Sequence, residues 1–245
     1  MNAEEALERL KEGNRRYVGG ADAGDVSASV REDKARNGQR PYAVVIACSD
    51  SRVIPETIFN AGIGDLFVIR VAGNVIDPHQ LGSVEYAAAH LHCPLVLVLG
   101  HTGCGAVSAA LEIRDAAATA GTEPLHSGNG QPSGDSQPGQ PSGSGHLSSG
   151  DSQPSGNGHL PGNGHLSASS APDGDPIEYI SSITKDIIKA AGSLADPDEV
   201  SLRNAKMSAD KIRLACRRSP YKLVSEARVI YALYDILTGE VKWND

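Results

Sequence analysis

The stretch 95–105, "LVLVLGHTGCG", runs from five consecutive apolar residues into a glycine-rich turn that carries His101 and Cys104. A short continuous apolar run is typical of a strand that is buried on both faces, as in a parallel sheet. Similar runs occur at 42–47 and 66–69, and helical patterns lie between and after the runs, at 54–59, 80–91 and 106–113. Strands that alternate with helices predict an α/β fold, a mostly parallel β-sheet flanked by helices.

The composition excludes several classes of protein. The net charge of −8 argues against nucleic acid or an anionic membrane as the main partner, because both reward clustered Lys and Arg. We find no apolar run of the roughly 20 residues needed to span a bilayer. The first residues, "MNAEEALERLKEGNRRYVGG", lack the apolar segment of a signal peptide, so we expect a cytoplasmic protein.

Residues 121–175 have a different composition from the rest of the chain. They hold 13 of the 27 glycines and 7 of the 14 prolines, contain no Lys or Arg, and repeat "GDSQP" and "GNGHL". Such a segment buries too little apolar surface to offset the entropy of ordering it. We therefore predict one domain over 1–245, interrupted by a disordered low-complexity insertion at about 121–175, with two amphipathic helices after it, within 176–192 and 198–218.

Four of the eight histidines lie in this insertion, at His126, His146, His159 and His165. One interpretation is a metal-binding tract. We favour repeat expansion with solvated imidazoles, because the spacing is loose and no nearby cysteine completes a site.

A cluster of metal-ligand type is predicted at the ends of two strands. Cys48 follows the run at 42–47, and His101 and Cys104 follow the run at 95–99. In an open α/β sheet, sites form at the carboxyl ends of strands. Two thiolates and an imidazole suit Zn²⁺, and three protein ligands leave one position open, as in catalytic zinc sites. Cys93 and Cys216 are interpreted as small buried hydrophobic residues.

The segment 47–53, "ACSDSRV", places two charged side chains beside Cys48. Asp50 is close enough in sequence to reach the same metal ion, and Arg52 could pair with Asp50 in a bidentate fork. The alternative is a solvated surface pair. Their position next to a candidate metal ligand favours the functional interpretation.

These segments resemble the beta-class carbonic anhydrases. The resemblance is carried by "ACSDSRV" (47–53), "GDLFVIRVAGN" (64–74), "SVEYAAAHL" (83–91), "GHTGCGAV" (100–107) and "YDILTGEVKW" (234–243), and it spans nearly all of the chain outside the insertion.

The resemblance implies a fold, a cofactor and a reaction. Cys48, His101 and Cys104 would bind zinc, and Asp50 and Arg52 would form a dyad that gates the fourth coordination position. The reaction would be the reversible hydration of carbon dioxide to bicarbonate, carried out by a homodimer or homotetramer with its active site near the subunit interface.

Two other functions stay open at this point. A hydrolase of carbonyl sulfide or carbon disulfide would need the same zinc chemistry, and only the shape of the pocket would distinguish it. A non-catalytic zinc-binding protein is the second alternative. Arg52 argues against it, because a purely structural zinc needs no gate.

Overall fold

The computed structural model describes residues 1–21, 24–120 and 180–244. The predicted insertion at 121–175, with its four histidines, lies outside the described residues. Its disorder and the single-domain organisation therefore stay predictions.

The described residues form eight α-helices and five strands. The helices are α1 (Ala3–Val18), α2 (Ala28–Asn37), α3 (Pro55–Ile58), α4 (Pro78–His90), α5 (Gly105–Ala120), α6 (Ser181–Ala191), α7 (Pro197–Arg218) and α8 (Lys222–Glu226). The strands are β1 (Ala43–Ala47), β2 (Leu66–Arg70), β3 (Leu95–His101), β4 (Arg228–Tyr234) and β5 (Val241–Asn244). A short 3₁₀ turn, Ala72–Asn74, follows β2.

The five described strands form one sheet in the order β2-β1-β3-β4-β5. The pairs β1–β2, β1–β3 and β3–β4 are parallel, and β4–β5 is antiparallel. The predicted mostly parallel sheet flanked by helices is therefore confirmed. The sequence analysis missed α2, because Ala28–Asn37 buries none of its residues and so shows no apolar periodicity.

Both faces of the sheet are covered by helices. On one face, Val45 of β1 and Leu97 of β3 pack in the same cluster as Leu7 of α1. On the other face, Ile46 and Val98 share a cluster with residues of α4 and α7. Successive side chains of a strand point to opposite faces, so a strand that is buried on both faces must be apolar throughout. This requirement explains the continuous apolar runs.

The register of the two central strands places the predicted site. Ala47, the last residue of β1, pairs with Leu99 of β3. Cys48 therefore leaves β1 beside the end of β3, where His101 is the last residue. The chain then turns through Gly103, which has a φ of 61°, and enters α5 directly after Cys104.

No helix in the described ranges combines the length and the apolar character that crossing a membrane requires. The cytoplasmic location inferred from the sequence stays a prediction.

Candidate metal centre

Three side chains of metal-ligand type converge at the carboxyl ends of β1 and β3. The ligand atoms of Cys48, His101 and Cys104 all lie within 4.8 Å of one another. All three residues are buried, with exposed fractions of 4%, 0% and 1%. The fold thus brings together the three residues that the sequence analysis selected, although Cys48 lies far along the chain from the other two.

The ring of His101 is oriented as a metal ligand requires. Its Nδ1 lies 2.9 Å from the carbonyl oxygen of Thr102. Because a carbonyl only accepts, this contact assigns the proton to Nδ1 and leaves a lone pair on Nε2. Nε2 is buried and has no hydrogen-bond partner among the described residues. A buried polar atom without a partner is costly, so this orphaned acceptor beside two thiols fits a bound cation.

The two thiols influence each other's ionisation. The Cys104 thiol is the main cause that lowers the pKa of Cys48, to about 4, and the N–H of Gly73, 3.2 Å from Cys48 Sγ, acts in the same direction. Cys48 in turn raises the pKa of Cys104, and burial adds to this effect. The first proton therefore leaves this pair of thiols more easily than the second.

The start of α5 favours thiolate at Cys104, because the positive end of a helix stabilises a negative charge. The N–H groups of Val107 and Ala106 lower the pKa of Cys104. Their effect is smaller than the opposing effect of Cys48, so the helix alone does not ionise this thiol. A divalent cation would supply the missing positive charge, since metal binding displaces thiol protons.

Asp50 and Arg52 form the bidentate pair that the sequence suggests. Arg52 Nε donates to Asp50 Oδ1 at 2.9 Å, and a terminal nitrogen of Arg52 donates to Oδ2 at 2.7 Å. Arg52 also donates to the carbonyl of Gly103, beside Cys104, at 3.1 Å. The side chain of Asp50 is only 16% exposed, which is unlike a solvated surface pair. Asp50 is outside the group of converging ligand atoms, and Arg52 lowers its pKa.

The sequence analysis missed a second arginine at this site. Arg70 ends β2 and pairs in register with Ala47. Its Nε donates to the carbonyl of Cys48 at 3.2 Å, and its terminal nitrogen donates to the carbonyl of Asp50 at 2.7 Å. The side chain therefore fixes the loop that holds both residues. Spacing gives no signal for this contact, because it depends on β2 lying next to β1.

A residue from beyond the insertion also reaches the site. Asp198, at the start of α7, accepts a hydrogen bond from the N–H of Gly103 at 2.9 Å. The remaining cysteines, Cys93 and Cys216, are buried away from the converging group, as the sequence analysis expected. The Cys93 thiol donates to the carbonyl of Pro41 at 3.0 Å.

Part of this chain is similar in sequence to known carbonic anhydrases. A sequence model of the family described as "Carbonic anhydrase" matches residues 43–127. Carbonic anhydrase 2 of Mycobacterium tuberculosis is 50% identical over 106 residues, which are 43% of this chain and 51% of the relative. The chain thus spans about half the length of the curated relatives that it matches.

Solved structures share the fold over a longer stretch. A tetrameric beta-carbonic anhydrase of Sordaria macrospora superposes with a TM-score of 0.52 at 18% identity, covering 88% of this chain and 86% of the other. The Coccomyxa beta-carbonic anhydrase in complex with acetazolamide gives a TM-score of 0.52 at 22% identity, over 88% and 77%. At these identities the likeness shows the fold alone. The sequence matches and the shared fold together make this chain similar to the beta-class carbonic anhydrases.

Proposed function

We propose that this chain is a zinc-dependent carbonic anhydrase that catalyses the reversible hydration of carbon dioxide to bicarbonate and a proton. The similarity of residues 43–127 to the carbonic anhydrase family supports the reaction. The converging Cys48, His101 and Cys104 side chains support the metal. The observation that carries the proposal is the buried His101 Nε2, which has no partner in the described residues and faces a pair of thiols.

In this proposal, Cys48, His101 and Cys104 are the protein ligands of zinc. Two sulfur atoms and one imidazole nitrogen match the donor set that zinc prefers, and three ligands leave one place for solvent. A zinc ion held there supplies the Lewis acidity that makes water a nucleophile near neutral pH. The carbonyl of Thr102 fixes the His101 ring, so the imidazole does not have to reorient when the ion binds.

Asp50 and Arg52 would control access to the open position. The fork from Arg52 engages both oxygens of Asp50 and holds the carboxylate away from the ligand group. The lowered pKa keeps Asp50 ionised, so its free lone pairs stay available to accept a hydrogen bond from a substrate water. Arg70 contributes by holding the backbone carbonyls of Cys48 and Asp50 in place.

The proposal is tested by measuring carbon dioxide hydration by stopped flow on protein of known zinc content. We expect one zinc per chain and hydration well above the uncatalysed rate, with carbonyl sulfide a poor competing substrate. Cys48→Ser should lose zinc and activity together. Cys93→Ser is the matched control, because Cys93 is equally buried but lies outside the ligand group, and it should keep both.

Three results would speak against this function. A chain that refuses zinc on reconstitution would remove its basis. Stoichiometric zinc without hydration would favour the non-catalytic zinc protein. Faster turnover of carbonyl sulfide or carbon disulfide than of carbon dioxide would favour the hydrolase.

We also propose that the chain works as a homodimer or homotetramer. The Sordaria macrospora proteins are described as tetrameric. Helix α2 buries none of its residues in the single chain, and short helices in water usually need tertiary packing to be stable. A partner subunit would supply that packing. Sedimentation analysis of the purified protein tests this, and a monomer at micromolar concentration would contradict it.

A further inference from the structure

The 3₁₀ turn at Ala72–Asn74 connects the metal centre to a helix from the other half of the chain. The backbone N–H of Gly73 donates to Cys48 Sγ at 3.2 Å. The carbonyl of the same glycine accepts a hydrogen bond from Asn204 Nδ2 at 2.7 Å. Asn204 lies in α7 and is 2% exposed. A path of hydrogen bonds therefore runs from α7 through Gly73 to a proposed zinc ligand.

Gly73 does not determine this geometry by itself. Its φ of 65° and ψ of 17° lie in the left-handed region, which glycine enters and leaves at little cost. A Cβ at this position would lie 2.7 Å from Ile187 Cδ1 in a backbone conformation that other residues rarely adopt. The position therefore suits glycine, and a glycine needs an external contact to fix the direction of its N–H.

We propose that Asn204 is a positioning residue of the metal centre, which keeps the N–H of Gly73 aimed at Cys48 Sγ by holding the carbonyl of Gly73. This inference rests on the proposed zinc function. The hydrogen bond from this N–H to the sulfur atom orients the lone pairs of the thiolate and reduces the negative charge density on the sulfur. Loss of a hydrogen-bond partner of a metal ligand typically weakens metal binding about 10- to 100-fold. Asn204 reaches Cys48 only through Gly73, one hydrogen bond further from the metal, so we expect zinc affinity to fall by roughly tenfold when Asn204 is replaced.

Two serines of α7 provide matched controls. Ser208 Oγ donates to the carbonyl of Asn74 at 3.1 Å, in the same turn but one residue beyond the glycine. Ser201 Oγ is buried and has no partner among the described residues. Ser208→Ala therefore loosens the turn without releasing Gly73, and Ser201→Ala changes the helix without touching the turn.

The experiment compares Asn204→Ala and Asn204→Asp with these two controls in the full chain. The aspartate variant keeps the size of the side chain but replaces the amide donor with an ionisable carboxyl, so the neutral alanine variant is needed to separate loss of the donor from a change in charge. Zinc affinity is measured by competition with a chromophoric chelator, and cobalt(II) is substituted for zinc to read the sulfur-to-metal charge-transfer absorption. We expect both Asn204 variants to bind zinc roughly tenfold more weakly and to shift the cobalt absorption, while both serine variants match the parent.

Several results would overturn the proposal. Zinc affinity within about twofold of the parent in both Asn204 variants, with an unchanged cobalt spectrum, would do so. An equal loss in Ser208→Ala would mean that the turn is only loosened in general. If the parent chain itself binds no zinc, the proposed function fails. If the parent chain binds zinc and the Asn204 variants bind it equally well, only the positioning role fails.

A measurement on the parent chain covers the case in which the Asn204 variants do not fold. With a magnetically active cadmium isotope in place of zinc, the Gly73 amide proton should show scalar coupling to the metal through Cys48 Sγ. Absence of this coupling would refute the proposed path at its central step.

Discussion

The replacement of Arg52 by alanine tests the gating role of the Asp50–Arg52 pair. In the parent, two charge-assisted hydrogen bonds, at 2.9 and 2.7 Å, hold the carboxylate of Asp50. Hydrogen bonds to charged groups contribute about 1.5–3 kcal/mol each. The side chain of Arg52 is 54% exposed, so solvent screening reduces the pair to about 2–3 kcal/mol in total. Without it, only the backbone N–H of residue 52, 3.0 Å from Asp50 Oδ1, still holds the carboxylate, and Asp50 can turn towards the metal position.

This energy sets the expected loss of activity. About 2–3 kcal/mol corresponds to a factor of roughly 30 to 140 in the balance between the held and the released carboxylate. We therefore expect Arg52→Ala to hydrate carbon dioxide roughly 30- to 140-fold more slowly, at equal zinc content, in a stopped-flow assay. Arg52→Lys should lose less, because it keeps the charge but not the planar fork.

Two further variants show whether Asp50 is the cause of the loss. Arg9→Ala removes another partly exposed ion pair, with Asp65 at 2.9 Å, away from the site, and should leave turnover unchanged. The double variant that combines Asp50→Ala with Arg52→Ala should hydrate carbon dioxide faster than Arg52→Ala alone, since it lacks the carboxylate that blocks the metal position. Turnover of Arg52→Ala within about threefold of the parent would refute the gating argument, as would a double variant no faster than the single one.

Other consequences of the structure concern stability. Gly13→Ala should destabilise strongly, by more than about 3 kcal/mol in urea unfolding, because its Cβ would lie 1.9 Å from the carbonyl oxygen of Phe59. Gly82 also lies in a helix, but a Cβ there would have no atom within 4 Å, so Gly82→Ala should stabilise the fold by about 0.5–1 kcal/mol. A loss of stability in this variant would contradict the open space beside Gly82. Asn14→Ala should cost about 2–4 kcal/mol, since the buried amide makes three hydrogen bonds to backbone groups, and a change in melting temperature below about 2 °C would be inconsistent with this count. Removal of zinc by a chelator should lower the melting temperature of the parent and not of Cys48→Ser, because an ion that binds the folded state stabilises it.

Much of the fold could be predicted because its central strands, β1 and β3, are buried on both faces. That burial demands continuous apolar runs, and the runs at 42–47, 66–69 and 95–99 correspond to β1, β2 and β3. The site residues were visible for a related reason, since polar and thiol side chains directly after such runs must lie at one edge of the sheet. Helix α2 gave no such signal, because none of its residues is buried against the sheet and its few apolar residues do not recur with a helical period.

The local sequence pattern by itself determined the class of fold and the chemical type of the site. Buried strands require apolar residues, and a zinc site requires thiol and imidazole side chains. Only the tertiary structure decided how that site is supported. Arg70 reaches the loop after β1 because β2 is the neighbouring strand, and Asn204 reaches Gly73 across 131 residues of sequence because α7 packs against the turn. A hydrogen bond depends on distance and direction in space, and the packing of helices on the sheet sets both.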